Sequence, residues 1–356
     1  MENKGILVIN PGSTSTKIGV FENDQLVFEK NIHHNNEEIE QLNTIEDQIS
    51  FRKNIIFSVL KENNYDVNNL ALIMARGGLL KPVLSGVYHV NETMLHDLKH
   101  APKFHASNLA GLIANEIAEK QNIKAYIADP VVVDELSNLA RFTGHPEFSR
   151  ISIFHALNQK AVARKYAASI DKKYEDLNLI VTHIGGGITV GAHEKGKVID
   201  VNQGYDGEGP FSPERSGTVP SGDLIKKAFS GEYTEKEMHE MIVGKGGVSA
   251  YLGTNNMIEV ENRVEAGDEK ATEVLEAMCY QISKTIGSMA VALKGNVDAI
   301  LITGGVAHSD FVTAKIEEYT KFIAPNSVFP GEDELEALAY NGSLILQNSI
   351  EINTYQ

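Results

Sequence analysis

A short apolar run that ends in a glycine-containing turn and leads into a hairpin occurs twice in this chain. The first copy is Gly5-Ile-Leu-Val-Ile9, the turn from Asn10 to Lys17, then Ile18-Gly-Val-Phe21 and Leu26-Val-Phe-Glu-Lys30. The second is Leu179-Ile-Val-Thr182, the turn at Gly185-Gly186-Gly187, then Ile188 to Ala192 and Val198-Ile199. Gly12 matches Gly185, an offset of 185 − 12 = 173, and Gly19 matches Gly191, an offset of 191 − 19 = 172, so a single gap aligns the copies. Glu22 matches Glu194, and Leu26-Val27 matches Val198-Ile199. Shared order and spacing of this kind point to a duplicated unit rather than to two unrelated hairpins.

The rest of the chain alternates in the same grammar. Helical stretches are predicted near Glu37 to Lys61 and Ser107 to Gln121, with strands at Leu70 to Met74 and Ala125 to Ala128. The second half adds helices near Ser221 to Phe229, Thr234 to Ile242 and Asp268 to Leu293. A strand at Ala299 to Ile302 and helices from Ser309 to Phe322 and from Asp333 to Leu346 follow. Alternating strands and helices predict an α/β chain. At 356 residues it exceeds one ordinary core. Two domains are expected, 1–150 and 151–334, with a C-terminal helix of about 335–356 packing back on the first.

Composition removes several function classes. The net charge is −16, from 32 basic and 48 acidic residues. With no long Lys/Arg cluster, a nucleic-acid partner is not expected. The one cysteine, Cys279, excludes a disulfide framework and reads as a core residue. The N-terminus lacks a signal-peptide pattern and no stretch is apolar enough to span a membrane, so the expected location is cytoplasmic.

Three strands end in turns of small residues: Asn10-Pro-Gly-Ser-Thr-Ser-Thr-Lys17, His183-Ile-Gly-Gly-Gly187 and Thr303-Gly-Gly305. Glycine lets a backbone approach a ligand, and successive N–H groups make anion-binding concavities. Three such turns, two at matching places of a duplicated unit, point to one nucleoside triphosphate gripped in an interdomain cleft. No Gly-x-x-x-x-Gly-Lys-Ser/Thr occurs, so this is not a Walker loop.

The run Leu7-Val-Ile-Asn-Pro-Gly-Ser-Thr-Ser-Thr-Lys17 resembles the N-terminal signature of acetate and butyrate kinases. The resemblance continues at His183 to Gly187, at Thr303-Gly-Gly305 and at Pro330-Gly-Glu-Asp-Glu-Leu335. Arg76-Gly-Gly-Leu-Leu-Lys81 and Gly207 to Arg215 point to the butyrate branch. It implies a duplicated actin/sugar-kinase/Hsp70-like (ribonuclease H-like) fold. It also implies ATP- and Mg²⁺-dependent phosphorylation of a short-chain carboxylate, here butanoate, with acetate, propionate or isobutyrate as alternatives. A homodimer or higher homo-oligomer is implied as well. Sugar kinases share the fold but need an Asp general base. Asp206 and Asp223, which stand beside glycines in loops of the second half, are not clear candidates. A nucleotide-gated assembly protein is the reading from another class.

A carboxylate is already ionised near neutrality, so the site needs cations, neutral donors and a metal more than a base. By resemblance, Asn10 orients the metal or the terminal phosphate, and Gly12, Ser13, Ser15 and Lys17 contact the phosphates. A solvated strand lysine competes as the reading of Lys17. Arg76, directly after a strand, is the first choice to clamp the carboxylate or the moving phosphoryl. The family's second arginine precedes a Ser-Gly-Asp, where this chain has Pro220; Arg215 is the nearby substitute. His105 resembles an acyl-pocket histidine. His155 resembles the histidine that donates to the phosphoryl in flight. His183 and Gly185 to Gly187 form the second phosphate turn, and Gly304 and Gly305 pass near the adenosine. Asp129 helps place the metal and substrate, against a turn-aspartate alternative. The metal-linked acid near the last helix is Asp333 or Glu334, and helix-dipole preference alone also explains acids there.

Overall fold

The computed structural model describes residues 4–12, 14–35, 38–39, 41–42, 44–101 and 106–356. Ser13 and His105 lie outside the described residues. The chain divides into two compact units, Met1–Val133 with Asp333–Gln356, and Asp134–Glu332.

In the first unit, strands β1 (Gly5–Pro11), β2 (Ser15–Glu22) and β3 (Gln25–His33) form an antiparallel meander. Helix α1 (Ile45–Glu62) follows, then β4 (Leu70–Arg76), β5 (Val87–His89), α2 (Glu92–Lys99), α3 (Asn108–Gln121) and β6 (Lys124–Ala128). The second unit begins with α4 (Ala156–Ser169) and a second meander, β7 (Asn178–Ile184), β8 (Ile188–Glu194) and β9 (Lys197–Val201). Its helices are α5 (Ser221–Ala228), α6 (Glu235–Ile242), α7 (Gly247–Leu252), α8 (Met257–Glu265) and α9 (Glu269–Ala292). Strand β10 (Ala299–Gly304), α10 (Asp310–Thr320) and β11 (Asn326–Pro330) complete it. The chain then returns to the first unit with α11 (Glu334–Leu346) and β12 (Ile352–Asn353).

The first sheet has the order β12-β5-β6-β4-β1-β2-β3 and the second β11-β10-β7-β8-β9. The shared core of both is a meander whose first strand pairs in parallel with a later one, β1 with β4 and β7 with β10. The duplication extends to an irregularity. The β2/β3 ladder shifts register between Val20 and Phe21, and the β8/β9 ladder between Ala192 and His193, so 20 + 172 = 192 recovers the sequence offset. Bulges twist a strand pair locally, and a repeated bulge preserves that twist in both copies.

Strand β1 is buried on both faces, with Ile6, Leu7, Val8 and Ile9 at most 2% exposed. Parallel strands covered by helices read as unbroken apolar runs for this reason, and each such side chain contributes about 1.5–3 kcal/mol. Small residues let α11 come close to this sheet: a Cβ at Gly342 would lie 3.0 Å from both Ile6 and Met74. Helix α1 begins with a capping box, in which Asp47 N–H donates to Thr44 Oγ1 (3.0 Å) and Thr44 N–H to Asp47 Oδ2 (3.1 Å). Cys279 is fully buried in α9, and burial pushes its thiol up to about 12, which suits a core residue. Among the described residues no helix is long and apolar enough to cross a membrane.

Candidate active site

In the first unit, β1 and β4 run side by side with Ile9 opposite Ala75, so Asn10 and Arg76 emerge at the same sheet end. Glu334, the first residue of α11, joins them. Asn10 Nδ2 donates to Glu334 Oε2 (2.5 Å), Arg76 Nη1 donates to Asn10 Oδ1 (3.4 Å), and Arg76 Nη1 lies 3.2 Å from Glu334 Oε2. Glu334 is 6% exposed, and a buried carboxylate is tolerable only when paired in this way. Its neighbour Asp333 takes the left-handed N-cap position (φ 43°) and makes no side-chain cap bond. The two acids that the sequence left as alternatives therefore differ sharply in surroundings.

Around the first turn, Gly12 N–H donates to Ser15 O (2.9 Å). Beneath it lies a residue that the sequence reading passed over. Arg52 is fully buried and donates from Nη1 to Ser15 O (2.6 Å) and to Thr16 Oγ1 (2.8 Å). Burial lowers the Arg52 guanidinium to about 10. His34 Nε2 lies 2.8 Å from the same Thr16 hydroxyl, and burial, aided by Arg52, lowers His34 to about 4. The signal was present, since Ile49, Arg52 and Ile56 sit on one apolar helical face. Lys17 is half-buried on β2, and its Nζ lies 3.6 Å from Glu29 Oε2. Asp129, just past β6, has φ 38° and accepts from Ser85 Oγ (2.6 Å) and Gly86 N–H (2.9 Å), so its carboxylate ties the end of β6 to the segment just before β5 rather than to its own turn.

In the second unit, β7 delivers His183 to the glycine turn, where Gly185 N–H donates to Gly187 O (3.1 Å). Arg215 lies across this turn: a Cβ at Gly187 would collide with its guanidinium. Arg215 Nη1 donates to Gly204 O, and its guanidinium carbon lies 5.7 Å from the Tyr205 ring centroid. Burial lowers the Arg215 guanidinium, while Glu214, Tyr205 and Asp206 oppose the shift. Pro220 caps α5, and the Ser221-Gly222-Asp223 that follows it is exposed. Gly304 has φ 95° and its missing Cβ clears Ile184 O, so only glycine fits there, whereas Gly305 faces open space.

His155, at the N-cap of α4, stacks on His183 with centroids 3.8 Å apart and planes 11° apart. His183 Nδ1 lies 2.8 Å from Asn158 Oδ1, and His155 Nδ1 lies 2.9 Å from Thr189 Oγ1. Asn158 Nδ2 also donates to Glu332 O (2.7 Å). Behind them Gln159 Nε2 donates to Thr189 O (3.1 Å) and Thr189 Oγ1 (2.8 Å), and Gln159 Oε1 lies 2.9 Å from His193 Nε2. His193 Nδ1 lies 2.6 Å from the Tyr174 hydroxyl. Sequence reasoning found the two stacked histidines but not this polar chain. Its only trace is polar residues at core positions, with Gln159, Thr189 and His193 all fully buried.

Among the described residues no group of three or more His, Cys, Asp or Glu side chains could hold a metal ion. Magnesium commonly takes one or two carboxylates and completes its shell from substrate phosphates. The single buried carboxylate of Glu334 beside the Asn10 amide fits that donor set.

Residues 149–322 match the model of the acetokinase family. A protein named "Probable butyrate kinase" from Clostridium botulinum is 54% identical over 98% of this chain and 99% of its own. "Butyrate kinase 1" from Clostridium acetobutylicum is 54% identical over 99% of each. The crystal structure of Porphyromonas gingivalis acetate kinase superimposes with a TM-score of 0.80 at 19% identity, covering 96% of this chain and all of that one. At that identity the likeness speaks for the fold, which is the duplicated α/β fold expected of actin and the sugar kinases. With relatives at this identity over almost its full length, the chain belongs to the acetokinase family.

Proposed function

We propose that this chain transfers the terminal phosphoryl group of ATP to butyrate, giving butanoyl phosphate and ADP. It is a phosphotransferase with a carboxyl group as acceptor, and its substrates are small molecules. The observation that carries the reading is the contact set of Arg76, Asn10 and Glu334, where a guanidinium already meets a carboxylate at the end of β4. Guanidinium suits both a substrate carboxylate and a phosphoryl oxygen.

An ionised acceptor oxygen attacks in line without losing a proton, so the protein's task is to position two anions and neutralise the moving charge. Arg76 clamps the carboxylate, and Asp129 helps place the metal and the substrate. Gly12, Ser15 and Lys17 contact the phosphates. His183, Gly185, Gly186 and Gly187 form a second phosphate cradle, and Gly304 and Gly305 flank the adenosine. Arg215 stands in for the arginine missing at Pro220, and His155 donates to the phosphoryl group. Glu334, rather than its neighbour Asp333, would hold magnesium with Asn10, and the ion would shield phosphate charge when bound. We place the enzyme in the cytoplasm as a homodimer or higher homo-oligomer, without nucleic-acid or membrane partners; sedimentation tests the assembly.

The decisive assay incubates the chain with ATP, magnesium and one acid at a time from acetate, propionate, butyrate and isobutyrate, trapping acyl phosphate as hydroxamate. Butyrate giving the highest kcat/KM supports the reading. No hydroxamate with any acid defeats it, and a clear preference for acetate reassigns the acyl pocket.

A further inference from the structure

The amide of Gln159 has only one orientation open to it. Thr189 O is a backbone carbonyl and accepts only, so the group facing it must be the Gln159 NH₂, which also donates to Thr189 Oγ1. Gln159 Oε1 consequently faces His193 Nε2 and can only accept, which puts a proton on that nitrogen. His193 is fully buried, and burial, aided by Lys160 and Arg164, disfavours its cation. A neutral His193 leaves Nδ1 to accept the Tyr174 hydroxyl proton. Every member of this stretch thus has its direction set, and His193 holds the amide against rotation.

Thr189 is fully buried, and its hydroxyl already accepts from Gln159. A buried hydroxyl proton needs an acceptor. The acceptor within reach of Thr189 Oγ1 is His155 Nδ1 at 2.9 Å. Nδ1 therefore bears a lone pair, and the ring proton of neutral His155 sits on Nε2. The adjacent amide acts on the other ring of the stack. Asn158 Nδ2 is committed to Glu332 O, so Asn158 Oδ1 accepts from Nδ1–H of His183. Two consecutive amides on α4 thus put the proton on opposite nitrogens of two stacked imidazoles.

We propose that the buried chain Tyr174–His193–Gln159–Thr189 is a positioning device that locks His155 as the Nε2–H tautomer, a hydrogen-bond donor and not a base. It rests on the kinase reading for its consequence. A donor to the phosphoryl oxygens is useful in a transfer that needs no base, and a histidine free to change tautomer would lose part of that donation. Tyr174, His193, Gln159 and Thr189 touch no substrate in this assignment and act through His155.

The test has a structural and a kinetic arm. In ¹⁵N-histidine-labelled full-length protein, with the His155 signals identified by their loss in His155→Phe, Nε2 should be protonated and Nδ1 not. Protonated Nδ1 on neutral His155 overturns the proposal without reference to any activity. Thr189→Val keeps the shape and removes the hydroxyl. It should mix the His155 tautomers and lower kcat at least about tenfold, with KM for ATP within about twofold. Thr189→Ser should restore most of the rate. Full turnover in Thr189→Val, or no rescue by serine, defeats the relay. If Thr189→Val does not fold, the wild-type spectrum still decides. The expected spectrum in a protein that phosphorylates no carboxylate would defeat the proposed function and leave the tautomer lock standing.

Discussion

Arg76 Nη1 lies 3.2 Å from Glu334 Oε2, so a strand end from the N-terminal part of the sequence is neutralised by the first residue of its last helix. The guanidinium is aligned before any substrate arrives. Arg76→Ala should lower kcat by about 10²–10³-fold while KM for ATP changes by no more than about threefold. Steady-state kinetics with butyrate checks this, and an unchanged rate would remove Arg76 from the mechanism.

The two acids at the start of α11 should separate cleanly. Glu334→Gln keeps the shape but removes the charge that faces Arg76 and Asn10, and should raise the magnesium concentration needed for half-maximal rate by about tenfold. Asp333→Asn should do little, because asparagine accepts the left-handed conformation at φ 43°. A magnesium titration of both variants decides; equal effects would mean that burial is a poor guide to the metal ligand.

Two glycines make an opposed pair. Gly187→Ala would push a methyl group into the Arg215 guanidinium, so loss of activity should come with a displaced arginine and lower stability. Gly305→Ala meets open space in the protein and should fold normally. If adenosine passes there, the same methyl raises KM for ATP; a wild-type KM would move the adenosine elsewhere.

Arg52→Leu should destabilise the first unit by about 2–4 kcal/mol, since the buried Thr16 hydroxyl and the half-buried Ser15 O would lose a charged donor. Thermal or denaturant unfolding measures it. A loss below about 0.5 kcal/mol would show that water or another donor replaces Arg52 at no cost.

Acid should loosen the protein well above carboxylate pKa values. His34 is held neutral in the fold, near 4 against an ordinary 6.5, and His193 is lowered as well. A depressed folded pKa gives stability that is complete above the unfolded value and declines as pH falls from 6.5 towards the folded one. Unfolding free energy should therefore drop between pH 6.5 and about 4, and His34→Gln should flatten part of that slope. A slope identical in the variant would acquit His34.

What the sequence disclosed follows from how each element earns its stability. The meanders and the long amphipathic helices are local patterns, and all of them were readable, including the offset that the repeated bulge confirms. Strand β4 was read as ending at Met74 but runs to Arg76, because pairing with β6 extends it past its apolar stretch. The edge strand β12 and its neighbour β5 are short and gain their pairing only in the folded sheet, so no local signal marked them. Helix α4 has a weak amphipathic pattern because its buried face carries Asn158, Gln159 and Lys160, and it too escaped notice. The same polarity hid the chain behind His155. Asn10, Arg76, His155 and His183 were visible as residues at element ends, but the contrast in surroundings between Asp333 and Glu334 needed the helix to be placed on the sheet.

That return of the chain has a consequence for synthesis. Every strand of the first unit except the short β12 has been translated before Glu334 exists, and the whole second unit is made in between. A ribosome-bound chain can fold β1 to β6 early, yet its Arg76 then faces solvent or a stray anion without the carboxylate that later aligns it. On the role proposed for Arg76, competence for phosphoryl transfer is withheld until translation is almost over, and unfinished chains would be poor consumers of nucleotide.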